Sequence, residues 1–266
     1  MIVNKYYILI AEGITDCSFL EAVLEKYLGF EPFHNVRELP LLFSEMVGKY
    51  PTISGSLQRQ DSPTFYYKDS IGIAIKQAGG CSKIPAKISL LAELIDKQEA
   101  YESFGGFLIF CDTDLHTKNE IEKEFIQKFQ ADNISYEKGH IKLYEKEIIC
   151  KLYLFPSSGT GAIEKLLLEC TNLTYGTLHQ DAQDFRNKIM SEQHENLRKK
   201  CWAKKEEIQK FYADKVQFGA VSAVLKPDKP VRFAIKDNLI KPEFLDLYMK
   251  LPEFNNLHSF LSDNLI

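Results

Sequence analysis

Along this chain, uninterrupted apolar runs of strand length alternate with stretches in which apolar residues recur at helical spacing. Tyr6 to Ala11 is such a run, of the kind found in a strand covered on both faces. Glu12-Gly13-Ile14-Thr15-Asp16 breaks it. From Cys17 to Leu28, the residues Phe19, Leu20, Val23, Leu24, Tyr27 and Leu28 then mark one helix face, and Gly29 ends the pattern. A strand at Thr64 to Tyr67 precedes a clearer one at Ile71 to Lys76, which leads through Gly79-Gly80 to a helical stretch from Ala86 to Ala100. Phe107 to Cys111 runs into Asp112-Thr113-Asp114 and a helix from Asn119 to Phe129. Ile148 to Phe155 ends in a turn through Gly161, with a helix from Ala162 to Cys170 after it. Strands alternating with helices predict an α/β fold with a mainly parallel, doubly wound sheet flanked by helices.

Two stretches depart from this rhythm. Residues 30–63 hold Pro32, Pro40, Pro51 and Pro63 and a turn-rich Thr52 to Ser56, which predicts an irregular insertion with at most one short helix. Residues 171–214 are polar and charge-dense. From position 186 onward, Arg186, Lys188, Arg198, Lys199, Lys200, Lys204, Lys205, Lys210 and Lys215 outnumber the acids, which predicts a helical, locally basic insertion. A solvated helix face accounts for the same pattern. The chain of 266 residues is then one α/β domain enlarged by these two segments.

Composition sets limits. With 45% apolar and 26% charged residues, the chain is neither disordered nor fibrous. Its net charge of −4 excludes a uniformly basic nucleic-acid coat but permits a local basic groove. Six dispersed cysteines form no CxxC pair, so they read as reduced thiols. No signal peptide and no apolar run near the roughly 20 residues of a membrane span can be seen, so a cytoplasmic protein without a membrane partner is expected.

Chemistry gathers after the strands. In an open parallel sheet, ligands collect at the carboxyl ends of strands. Here Glu12 and Asp16 follow the first strand, and Asp112 and Asp114 follow the third. Carboxylates so placed suit Mg²⁺ (or Mn²⁺), a hard cation that prefers oxygen ligands and shares substrate phosphate oxygens. Two such charges about 4 Å apart repel by roughly 4 kcal/mol at an effective dielectric of about 20, so a cation would relieve a large penalty. Each acid also has a local reading: Asp16 as a helix cap, Asp114 as a turn residue.

Ile10-Ala11-Glu12-Gly13-Ile14-Thr15-Asp16 resembles the glutamate motif of the TOPRIM domain, and Phe107 through Asp114 resembles its DxD motif. Leu154-Phe155-Pro156 through Gly161 and Glu164 to Leu168, then Lys215 to Leu225 and Phe233 to Ile240, are similar to small stand-alone TOPRIM-like proteins of unknown function, relatives of the nuclease half of OLD-family proteins. The resemblance implies a Rossmann-like sheet in which Glu12 and Asp112 are catalytic. Glu12, Asp16, Asp112 and Asp114 would surround the metal, with Glu164 and Lys215 as accessory groups. It implies a metal-dependent nuclease acting on DNA or RNA, with a place in phage defence, mobile-element biology or repair. No P-loop accompanies it, so a full ATPase-nuclease is not expected.

Arg198, Lys199, Lys200, Lys204 and Lys205 are the candidate phosphate contacts, and Trp202, Phe211 and Tyr212 interleave with them as stacking or packing residues. A non-catalytic nucleic-acid or protein-binding module that keeps the same shell is the main alternative. A DxD-dependent transferase would leave Glu12-Gly13 unexplained. The histidines form no ligand pattern, and no GxSxG elbow is present. Sequence leaves open a homo-oligomer or a separate partner protein.

Overall fold

A computed structural model describes residues 3–47, 52–53, 56–57, 63–98, 100–131, 134–143, 146–202 and 206–266. The main sheet is built from β1 (Lys5–Ala11), β2 (Glu31–Pro32), β5 (Thr64–Lys68), β6 (Ile71–Gln77), β7 (Phe104–Asp112), β8 (Ser135–Glu137), β9 (His140–Leu143) and β10 (Lys146–Phe155). A separate small ladder pairs β3 (Thr52–Ile53) with β4 (Ser56–Leu57). The helices are α1 (Ile14–Lys26), α2 (Leu41–Met46), α3 (Ile84–Lys97), α4 (Lys118–Ala131), α5 (Ile163–Thr174), α6 (Gly176–Met190), α7 (Glu195–Cys201), α8 (Glu206–Leu225), α9 (Val231–Ala234), α10 (Leu245–Tyr248) and α11 (Pro252–Leu265). None of the described helices is long and apolar enough to cross a membrane.

The eight strands lie in the order β2-β5-β6-β1-β7-β10-β9-β8. Only the central four, β6-β1-β7-β10, are parallel. Both flanks are antiparallel, so the sheet is mixed, which corrects the expectation of a mainly parallel one. The physical reason lies in the connections. β5 joins β6 through a tight Asp69-Ser70 turn with Asp69 at positive φ, and β8 joins β9 through Lys138-Gly139, where both residues have positive φ as a type I′ hairpin turn requires. Hairpins of this kind need no crossover helix and so reverse direction.

The continuous apolar runs follow from burial on both faces. Tyr7, Leu9 and Ala11 of β1 face a core shared with α1, α5, α8 and α11, while Ile8 and Ile10 face a second core under α2, α3 and α4. The result is a three-layer sandwich. Residues 171–214, where described, are helical as expected but do not stand apart: α6 packs against both α5 and α8.

The chain places β6 on one side of β1 and β7 on the other, so strand order reverses between β1 and β7. A crevice at such a reversal, just beyond the carboxyl ends of the strands, is where α/β sheets take ligands.

Candidate functional site

Glu12 leaves β1 and Asp112 closes β7 at that reversal. The two are tied directly, as the Glu12 N–H donates to the Phe110 carbonyl at 3.1 Å and the Asp112 N–H reaches a Glu12 carboxylate oxygen at 3.4 Å. The Glu12 carbonyl accepts from the N–H groups of Gly79 and Gly80 at 3.0 and 3.1 Å, so the glycine turn after β6 folds back onto the same residue. A Cβ on Gly13 would sit 3.1 Å from Asp16 Oδ2, and the glycine keeps its own N–H open to that oxygen at 3.0 Å. Asp16 therefore does cap α1. Its other oxygen, Oδ1, is buried without a partner.

The Asp112 to Asp114 segment is clasped to the loop after β10. Thr113 Oγ1 lies within hydrogen-bond reach of the carbonyls of Phe155 and Gly161, both at 3.2 Å, and accepts the Gly161 N–H at 2.9 Å. Asp114, with φ of 48°, donates its N–H to the Gly161 carbonyl at 2.7 Å. Asp112 Oδ1 accepts the N–H of Ile163 at 2.9 Å, an amide at the start of α5. A carboxylate there also meets the positive end of the helix dipole.

Glu164, one residue on, is buried, and its Oε2 has no partner. The fold thus gathers Glu12, Asp16, Asp112, Asp114 and Glu164 into one electrostatically coupled group, with Lys215 of α8 facing it. Burial and the neighbouring Asp114 charge raise the Glu12 carboxyl above its ordinary range. Burial, then Glu164, push Asp16 up to about 7, and burial with Asp16 and Glu164 holds Asp112 well above the usual range. Glu164 is raised by burial, against the pull of Lys215. Burial works against the Lys215 ammonium, but Glu164, Asp112, Asp114 and Glu12 together hold it above its ordinary value.

Beside this group lies a tighter trio that sequence reading passed over. Cys81 Sγ is 3.1 Å from Cys111 Sγ, and these sulfurs and a Glu12 carboxylate oxygen all lie within 4.8 Å of one another. Among the described residues no three carboxylates come together so closely. No CxxC spacing announces the pair. The usable signal was positional: both cysteines sit at or just past the ends of β6 and β7, the two strands that flank β1.

The basic stretch comes out differently from its sequence. Arg198 is 7% exposed, and its guanidinium donates to the carbonyls of Ile189 and Ser191, so it braces the α6-to-α7 turn rather than offering itself to phosphate. Lys199 pairs with Glu195 one helical turn away, and Lys200 is exposed. Lys204 and Lys205 lie outside the described residues. Trp202 meets Tyr212 edge to face at 5.8 Å, and together with Cys201, Lys215 and Val216 they line a cavity of about 370 Å³.

Comparison with known proteins places the fold but no activity. A family model described as a protein of unknown function, DUF3226, matches residues 6–262. No curated protein matches the chain. A crystal structure of the hypothetical protein PH0156 from Pyrococcus horikoshii OT3 superposes with a TM-score of 0.55 at 16% identity, covering 98% of this chain and 95% of that one, a likeness of fold.

Proposed function

We propose that this chain, which belongs to the DUF3226 family of proteins of unknown function, holds Mg²⁺ or Mn²⁺ beside β1 and β7 and hydrolyses nucleic-acid phosphodiester bonds, as its resemblance to TOPRIM domains implies. The observation that carries this reading is the gathering of five acids at the strand reversal, with Asp16 Oδ1 and Glu164 Oε2 buried and unpartnered. An all-oxygen donor set with orphaned oxygens fits a hard divalent cation. Glu12, Asp112 and Asp114 would hold it, with Asp16 and Glu164 behind them. Because no three of these carboxylates converge closely, the fit is to an ion that keeps several of its own waters, as Mg²⁺ usually does. When bound, such an ion acidifies water and offsets charge on phosphoryl oxygens.

The chain's own groups supply the rest. Ile163 N–H fixes the orientation of Asp112. Glu12, placed beside the ion and with its carboxyl raised by burial and by Asp114, is the group suited to take a proton from an attacking water. Lys215 offers a cation to a non-bridging phosphate oxygen, and the aromatic cavity it lines with Trp202 and Tyr212 suits an adjacent base.

The test is incubation of purified protein with single-stranded and duplex DNA and RNA in Mg²⁺ or Mn²⁺, beside Glu12→Gln and Asp112→Asn. Cleavage should fall on the order of a hundredfold or more in each variant. Cleavage that persists in both removes these acids from the reaction. Tight binding of nucleic acid without cleavage by the parent chain replaces the nuclease reading with that of a binding module.

A further inference from the structure

We propose that Cys81, Cys111 and Glu12 form a second, chemically distinct metal site that takes a thiophilic divalent cation, Zn²⁺ or its probe Cd²⁺. Three separate backbone elements present its ligands. Glu12 follows β1, Cys81 opens the short turn after Gly79-Gly80, and Cys111 is the penultimate residue of β7. Their positions are fixed before any ion arrives, because the Glu12 carbonyl accepts from both glycines of the turn that leads into Cys81, and the Asp112 N–H next to Cys111 reaches the Glu12 carboxylate.

The dimensions fit. Tetrahedral zinc with bonds of about 2.3 Å to sulfur and about 2.1 Å to oxygen places its sulfurs roughly 3.8 Å apart and each sulfur roughly 3.6 Å from the oxygen. All three ligand atoms here already lie within 4.8 Å of one another, and the sulfurs need open only slightly from 3.1 Å. Two thiols and a carboxylate are also the wrong set for Mg²⁺, which takes oxygen, and the right one for a d¹⁰ ion. On binding, each thiol releases its proton to solvent as its sulfur–metal bond forms, and nothing is oxidised. A water completes the fourth position.

Glu12 belongs to both this site and the proposed hard-cation site, so the two ions compete for it. Zinc at the thiols withdraws Glu12 from the acid group, and zinc is then an inhibitor that acts by taking this one residue from the reaction centre.

The test uses the full chain carrying Cys201→Ser, which removes the exposed thiol, kept reduced with a phosphine. Titration with Cd²⁺ should raise an ultraviolet thiolate-to-cadmium charge-transfer band that saturates at one ion per chain and is reversed by Zn²⁺. Cys81→Ala, on a half-exposed turn, should abolish the band with an unchanged circular dichroism spectrum. Glu12→Gln should keep the band and weaken Cd²⁺ binding at least about tenfold. Absence of the band in the parent chain, or its undiminished survival in Cys81→Ala, overturns the site. No nucleic acid enters the measurement, so its failure and that of the nuclease reading are separable.

Discussion

Asp16 spends one carboxylate oxygen on capping α1 and leaves the other buried with no partner. Its carboxyl, pushed up to about 7, keeps a proton that the unfolded chain gives up near its ordinary value of about 3.9. Folding is therefore penalised progressively as pH rises from about 4 through about 7, and the penalty stays complete above that. Asp16→Asn keeps the cap acceptor and removes the titration. In a chelator, its melting temperature should match that of the parent near about pH 4 and exceed it by roughly several degrees at about pH 8. Equal differences at both pH values would show that Asp16 ionises normally in the fold. Thr113 poses a simpler case. Its hydroxyl accepts the Gly161 N–H in a buried setting and lies within reach of the Phe155 and Gly161 carbonyls, which also accept backbone N–H groups, so Thr113→Val should cost about 1–3 kcal/mol in denaturant unfolding by leaving the Gly161 N–H unsatisfied.

These residues differ in how far the sequence displays them. Glu12 and Asp112 are legible because one follows and the other closes a doubly buried strand, and position at the end of such a strand is itself a statement about the ligand edge. Glu164 and Lys215 are less so, since a helix residue shows its charge but not which neighbour it faces. Arg198 misleads for the opposite reason. A run of cations marks composition, whereas burial depends on the tertiary turn it braces, and Ile189 and Ser191 carbonyls consume the charge that seemed available.

Among the elements, the central strands and the helices that follow them are read with shifts of a few residues: the helix expected at Ala86 to Ala100 is Ile84–Lys97, and that at Asn119 to Phe129 is Lys118–Ala131. The β8-β9 hairpin is not read, because Lys138-Gly139 lacks the Asn-Gly or Asp-Gly signature of its turn and the strands are only three and four residues long. β7 carries a sharper constraint. At Gly106 φ is 143°, and a Cβ would lie 2.6 Å from the Ile149 carbonyl oxygen of the neighbouring β10. Gly106→Ala should destabilise the chain by about 2–4 kcal/mol, read from its urea midpoint, since backbone rather than a movable side chain stands in the way. An unchanged midpoint would mean that β7 and β10 can slide apart at no cost.

For the molecule as a whole, the site joins elements from along the whole chain: β1 leads into Glu12, β7 ends in Asp112 and leads into Asp114, α5 carries Glu164 and α8 Lys215. Trp202, the single tryptophan of the chain, lines a cavity together with Lys215 and is a built-in reporter. Its fluorescence should change when single-stranded nucleic acid binds, and Lys215→Ala should shallow the dependence of log affinity on log salt by about 0.7–0.9. A fluorescence signal indifferent to nucleic acid that binds by another measure would place the bound strand elsewhere.

The clasp between the Asp112 to Asp114 segment and the loop before α5 also sets an order in time. During synthesis Glu12 and Asp16 emerge first, Asp112 about a hundred residues later, and the Ile163 amide that steadies Asp112 later still, with Lys215 after that. Contacts so distant in sequence close slowly because loop entropy must be overcome first. Four of the acids therefore meet when β7 pairs with β1, Glu164 joins them only with α5, and the cation on α8 that offsets their repulsion is made last.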